Sequence, residues 1–281
     1  MKSRLIIFPL LLILALPVFA WNTMGHMTVA QIAYNQLTPT AKKQVDTLSN
    51  IMVPVYKESN NFISAAAWAD DLKGHDVNVF NTWHYINIGF STDKTPYPKF
   101  ALQPNAVWAI LQNISILESK KSLPQEKAAA LQMLSHIVGD LHQPLHATSK
   151  YSKKYPKGNQ GGTLFSLKKP YDNLHVLWDD GVTKFPDAPK RPLDSKGNKQ
   201  VKNYAELLKS KYSMTDDPRL KITEPMQWAK ESHRLGSNVY KNIKENTQPS
   251  AEYIVKNAPV AEEQVVLAGY RLAILLNKIF D

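Results

Sequence analysis

Four of the eight histidines fall between positions 136 and 175, in two short runs that also carry aspartate. The first is His136-Ile-Val-Gly-Asp140-Leu-His142-Gln-Pro-Leu-His146, and the second is His175-Val-Leu-Trp-Asp179. His136 and Asp140 stand four apart, as do His175 and Asp179, so each pair shares one face of a helix. Imidazole and carboxylate on adjacent turns make a chelating pair for a divalent cation, and zinc accepts both at ~2.0–2.2 Å. One such pair is often only a surface ion pair. Two pairs with His146 between them point to a metal centre. Upstream, Asp70 in Trp68-Ala69-Asp70, His84 in Trp83-His84-Tyr85 and His26 after Gly25 are further candidates. Taken singly they read equally well as a helix cap, a hydrogen-bonded core histidine and an unremarkable one.

The elements that must hold these side chains are mostly helical. Apolar residues recur at helical spacing over Met27 to Leu37, Ala41 to Leu48, Phe62 to Leu72, Ala101 to Leu117, Gln125 to Val138, Glu224 to Ile243 and Ala261 to Ile279. Thr38-Pro39 and Leu123-Pro124 read as helix starts, with proline tolerated in the first turn. Strand candidates are two and short, Trp83 to Ile88 and Thr163 to Leu167. Residues at about 149–170 and 183–200, rich in Lys, Pro, Gly and Asn, read as loops. The expected fold is all-α: a mainly helical single domain with long loops and at most a short β-hairpin.

Residues 1–20 have the layout of an export leader. Lys2 and Arg4 precede an apolar run from Leu5 to Phe19, which closes on Val18-Phe19-Ala20. The run carries Pro9 and Pro17 and falls short of the ~20 apolar residues a spanning helix needs. Cleavage before Trp21 gives a secreted or periplasmic protein of residues 21–281 with no membrane anchor. The full chain has 34 basic and 24 acidic residues, and without the leader's two basic ones the net charge is +8, which suits an anionic partner. There is no cysteine, which excludes a disulfide scaffold and thiolate metal sites.

The set Trp21…Gly25-His26, Trp68-Ala69-Asp70, Trp83-His84-Tyr85, His136-x-x-Gly-Asp140-x-His142-Gln-Pro-Leu-His146 and Asn173-Leu-His175-x-x-Trp178-Asp179 resembles the zinc-dependent single-strand-specific nuclease family of the S1/P1 type. Five blocks occur in order from Trp21 to Asp179, and the Gly-Asp-x-His-Gln-Pro-Leu-His string is highly specific. The resemblance implies a phospholipase C/nuclease-like helical fold and three zinc ions per chain. Asp70, His84, His136 and Asp140 would hold one ion. The free amine and carbonyl of Trp21, with His26, would hold a second, bridged to the first by Asp140. His146, His175 and Asp179 would hold the third.

The same resemblance implies an endonuclease that hydrolyses single-stranded DNA and RNA to 5′-phosphate products, with 3′-nucleotidase activity. Its substrates are single-stranded nucleic acid and nucleotides, with no stable protein partner, and the chain is read as a monomer. Asp70, Lys73 and Asp140 are the expected catalytic residues: Asp70 orients the attacking water and Lys73 contacts the phosphate, where the family more often has arginine. Tyr85 and Asn87 would bind the base, Asn87 standing where aspartate is common. The lysines at 150, 153, 154, 157, 168 and 169, with Tyr151, Tyr155 and Phe165, form a second candidate surface. A solvated lysine-rich loop explains that run equally well. His142 is expected to pack or to support a ligand, and His75 and His233 to be ordinary residues. The alternative reading within enzymes is a zinc-dependent phospholipase C on phosphatidylcholine-type lipids. A non-enzymatic zinc- or nucleic-acid-binding protein is the competitor outside them.

Overall fold

The proline-marked helix starts set the frame. Thr38 accepts from the Ala41 amide and Pro39 opens α2 (Pro39–Met52), while Glu126 accepts from the Leu123 amide and Pro124 opens the long helix Pro124–Leu141. The computed structural model describes residues 21–281; the leader at 1–20 and its cleavage lie outside the described residues. In chain order the helices are α1 (Thr23–Gln36), α2, α3 (Phe62–Ala65), α4 (Trp68–Gly74), α5 (Ala106–Glu118), α6 (Pro124–Leu141), α7 (Leu174–Asp179), α8 (Ser195–Lys211), α9 (Pro225–Val239) and α10 (Ala251–Phe280). The mainly helical expectation holds.

The differences from the sequence reading are local. Phe62 to Leu72 is two helices, because the backbone breaks at Ala66–Ala67, so Trp68 begins α4 and Asp70 sits in its first turn. Trp83 to Ile88 is a 3-10 turn over Asn81–His84 that runs into the strand β1 (Ile88–Ser91). β1 pairs with β2 (Thr148–Tyr151) in parallel, Ile88 opposite Thr148 and Ser91 opposite Tyr151. A parallel pair cannot be a hairpin and needs a long crossover, here supplied by α5 and α6. Residues 163–167 are turn, touching Asn173 through one bridge at Ser166. Helix α8, capped by Asp194, begins inside the stretch read as loop. Its buried stripe is only Gly197, Val201, Ala205 and Leu208, too sparse to stand out among lysines.

One contiguous apolar core runs through α1, α2, α5, α6 and α10. Helix α6 is its axis: every residue from Ala130 to Leu141 is buried, His136 and Asp140 among them. Two buried ionisable groups on a core helix are costly unless something compensates their charge. Their surroundings therefore decide what the site is.

Candidate metal centre

Five segments converge on the C-terminal half of α6. Helix α1 lays His26 flat on His136, ring centroids 3.8 Å apart at 13°. Gly139 makes room, since a methyl group there would stand 3.1 Å from His26 Nδ1. Helix α4 brings Asp70, and the 3-10 turn brings His84, its neighbour Trp83 anchored edge-on to Phe80 and Trp108. The turn after α6 brings His146, and α7 brings His175 and Asp179. Trp21 is fully buried; its indole N–H donates to the Gly139 carbonyl at 2.9 Å and its ring packs on Phe185. Next to it the Asn22 amide donates to the Asp179 carbonyl at 2.7 Å. Residue 21 is thus pinned between α6 and α7.

Three groups of His and Asp are arranged so that they could hold a metal ion: His26, Asp70 and His136; His84, His136 and Asp140; and His146, His175 and Asp179. Asp140 faces two ways: Oδ2 lies 2.9 Å from His84 Nδ1 and 3.3 Å from His136 Nε2, while Oδ1 lies 3.3 Å from His26 Nε2. Asp70 reaches the same set, 3.6 Å from His136 Nε2, 3.8 Å from His84 Nδ1 and 3.9 Å from His26 Nε2. In the third group Asp179 Oδ1 lies 3.6 Å from His175 Nε2 and 3.9 Å from His146 Nε2. All nine residues expected to ligate lie at this locus or, for Trp21, directly against it.

Hydrogen bonds fix which imidazole nitrogens face inward. His136 Nδ1–H donates to the Ala66 carbonyl at 2.7 Å, His146 Nδ1–H to His84 O at 2.6 Å, and His175 Nδ1–H to Gly161 O at 2.7 Å. A carbonyl only accepts, so each Nε2 keeps a lone pair, the outer-shell arrangement that prepares histidine for a metal. Two of these lone pairs meet: His146 Nε2 and His175 Nε2 are 3.0 Å apart. Two acceptors at that distance repel unless a cation lies against both. Asp140 Oδ1, Asp179 Oδ2, His84 Nε2 and both nitrogens of His26 are buried without a hydrogen-bond partner among the described residues. Donor types, spacing and these orphaned atoms fit a cluster of divalent cations with N and O ligands.

The electrostatics agree. Burial, then neighbouring positive groups, holds His26, His84 and His146 well below the usual imidazole range. Burial also pushes the Asp179 carboxyl well up, and that of Asp140 up to about 6. Burial pulls His136 down, but Asp140 and Asp70 outweigh it and the ring ends above its ordinary value. The site lacks positive charge to match its carboxylates. One cation is present in the protein itself, Lys73, whose Nζ is 3.0 Å from Asp70 Oδ1 with its side chain 8% exposed.

Several supporting residues carried no signal of their own. Gln143 donates from Nε2 to Asp179 Oδ1 at 2.7 Å and accepts from the Leu145 amide at 2.6 Å, tying the α6 turn to α7. Arg271 of α10 is buried, paired with Glu231 at 2.7 Å, and donates to His142 Nε2 at 3.0 Å. His142 Nδ1–H donates to Val138 O at 2.8 Å, so His142 braces the end of α6 and faces away from the metal groups. Gly161 (φ +61°) supplies the carbonyl that orients His175, and a methyl group there would stand 2.5 Å from Leu145 O. His75 is exposed, edge-on to Tyr56, and His233 is half-buried against Thr148.

The expected substrate surface is only partly as read. Tyr85 and Asn87 are half-buried beside His84. In the lysine-rich loop Tyr155 and Phe165 are buried in packing, Tyr155 O–H donating to Leu164 O and Phe165 lying against Tyr240. Lys154 pairs with Glu245 and Lys169 with Asp172. Tyr151 stays half-buried, its ring 6.0 Å from that of Tyr97.

Comparison with known proteins gives a single consistent result. The profile of the S1/P1 nuclease family matches residues 21–281. Nuclease S1 of Aspergillus oryzae is 27% identical, over 95% of this chain and 94% of its own length. Endonuclease 1 of Arabidopsis thaliana is 25% identical over 93% and 88%, and nuclease P1 of Penicillium citrinum 24% over 92% and 97%.

Proposed function

The chain belongs to the S1/P1 nuclease family, and from that premise we propose that it is an exported, zinc-dependent endonuclease of single-stranded DNA and RNA. Its products carry 5′-phosphates, and it also acts as a 3′-nucleotidase. The observation that carries this reading is the third His/Asp group: two imidazole lone pairs face each other 3.0 Å apart beside a buried carboxylate. That arrangement is favourable only around a cation. No helix among the described residues is long and apolar enough to cross a membrane, which accords with release after leader removal.

Asp70, His84, His136 and Asp140 would hold one ion, Trp21 and His26 with Asp140 a second, and His146, His175 and Asp179 a third. The third set is one of the three His/Asp groups and the first contains another, while His26 groups instead with Asp70 and His136. When bound, zinc supplies a nucleophile at neutral pH and neutralises charge on the phosphate and the leaving oxygen. Asp70 orients the attacking water through its second lone pair. Lys73, held 3.0 Å from Asp70, points its charge at a phosphate oxygen, as one donor rather than a bidentate fork. Tyr85 stacks on a base and Asn87 bonds its edge, which requires an unpaired strand.

Trp21 ties maturation to metal content, because its α-amine exists only after the leader is cut. Metal analysis by mass spectrometry should find three zinc ions per mature chain, one for each proposed ligand set. A secreted form with an uncleavable leader should hold one fewer. Equal zinc in the two forms would remove Trp21 from the ligand set.

A further inference from the structure

The two-stranded sheet leads outward from the metal centre and has unlike faces. On one, Phe90 packs on Tyr240 with ring centroids 5.6 Å apart, Lys150 Nζ lies 5.3 Å above the Tyr240 ring, and Thr148 meets His233. That face is covered by α9 and the residue following it. By the period-two alternation of strands the other face carries Gly89, Ser91, Ser149 and Tyr151. Tyr97 lies on it: a methyl group at Gly89 would stand 2.7 Å from Tyr97 Cδ2. Glycine at 89 is what lets the ring sit down beside Tyr151, 6.0 Å away and tilted by 38°.

Tyr97 of this pair lines a surface cavity of about 350 Å³, with Ser91, Thr92, Lys94, Thr95, Pro96 and Lys99. Lys94 and Lys99 are exposed, and Lys99 Nζ stands 5.1 Å above the Tyr97 ring. Asp93 is the only acid between 91 and 99, and its carboxylate is committed to the loop itself. It accepts from Ser91 Oγ, from the Thr95 amide and hydroxyl, and from the Lys153 amide at 2.9 Å. These bonds tie the 92–99 loop to the 151–157 loop, so the cavity wall is preformed. Tyr151 is five residues along the strand direction from His146, no more than ~17 Å at the usual rise per residue.

We infer that Tyr97 and Tyr151, with Lys94 and Lys99, form a second nucleotide subsite that takes a base and its phosphate a few nucleotides from the bond being cut. The inference rests on the nuclease reading of the metal centre. Aromatic rings with interleaved lysines hold single strands by stacking and charge, without regard to sequence. The subsite therefore acts on long substrates and leaves the shortest untouched. It favours polynucleotide over dinucleotide through KM, with little change in kcat.

The test uses the mature zinc-loaded protein and oligothymidylates of two and of six nucleotides, with Tyr97→Ala and the double variant Lys94→Ala/Lys99→Ala. Circular dichroism confirms that each variant folds, and the lysine pair, being exposed, keeps the test open if Tyr97→Ala does not. The hexamer KM should rise about fivefold or more in Tyr97→Ala, the low end of what losing one base stack costs, with kcat and the dinucleotide KM unchanged. In the lysine variant the slope of log KM against log salt for the hexamer should fall by ~1.4, two phosphate contacts at ~0.7 each. Hexamer and dinucleotide KM moving together, or neither moving, would overturn the subsite and leave the nuclease reading intact. If the unsubstituted protein cuts neither oligonucleotide, both fall.

Discussion

Stripping the metal should cost this protein much of its stability. Three buried atoms of the ligand groups that lack a hydrogen-bond partner can turn to a cation: His26 Nε2, Asp140 Oδ1 and Asp179 Oδ2. The orphaned His26 Nδ1 and His84 Nε2 lie on the ring edges opposite the nitrogens that face the carboxylates, so metal leaves them unchanged. An unsatisfied buried polar atom costs ~1–3 kcal/mol, so the three together cost roughly 3–9 kcal/mol in the metal-free fold. That is a large share of the whole stability of an ordinary domain, ~5–15 kcal/mol. Water entry and proton uptake will recover part of it, which favours the lower figure. At ~2–4 °C per kcal/mol for a chain of this size, even ~3 kcal/mol lowers Tm by ~6 °C or more. There is no disulfide to hold the fold in its place. The assay is thermal unfolding of the mature protein by circular dichroism, before and after chelation, with metal loss verified by mass spectrometry and then reversed with zinc. A verified metal-free protein that melts within ~3 °C of the loaded one (on the scale of the same conversion) would refute the reasoning.

Two substitutions probe the supporting shell. Gly161→Ala places a methyl group 2.5 Å from Leu145 O and 3.2 Å from His175 Nδ1, so the loop must shift and the Gly161–His175 hydrogen bond with it. Loss of such an outer-shell bond costs ~10–100-fold in metal affinity; competition against a fluorescent zinc chelator should show one of the sites weakened by that factor, and unchanged affinity would count against the role given to Gly161. His142 concerns pH. Its pKa is lowered to about 3, by burial first and then by the Arg271 charge, against the Val138 hydrogen bond. The folded value lies below the unfolded one of ~6.5. The ring therefore stays neutral in the fold while the unfolded chain protonates, and stability present above pH 6.5 is lost on acidification at ~1.4 kcal/mol per pH unit. His142→Asn should flatten urea-derived stability between pH 6.5 and 5 by that slope. An unaltered slope would mean that His142 protonates freely in the fold.

The candidate metal centre was legible in the sequence because helical geometry is simple: residues four apart share a face, and the His136–Asp140 and His175–Asp179 pairs do so. Asp70 and His84, ambiguous alone, were placed by the family resemblance, since nothing in an alanine-rich stretch says which side of a helix break a carboxylate will occupy. The direction of the β1–β2 pair was hidden because strand pattern reports which face is buried and says nothing of the partner's orientation. Helix α8 was hidden by its lysines, which outnumber the four buried positions on its stripe. Gln143, Gly161 and Arg271 act through contacts up to 129 residues apart in sequence, as in Arg271–His142, and no local spacing encodes those. Tyr97 belongs with them: it becomes a candidate only once Gly89 is seen beneath its ring.

The central claim is that this centre hydrolyses phosphodiester bonds of unpaired strands. The direct measurement is end-group analysis of a single-stranded oligonucleotide and its duplex form incubated with the mature protein, with zinc and with chelator, beside phosphatidylcholine. Zinc-dependent cleavage of the single strand to 5′-phosphate ends, with duplex and lipid left intact, is the predicted result. Intact oligonucleotide with released phosphocholine would contradict it and transfer the same metal groups to a phospholipase.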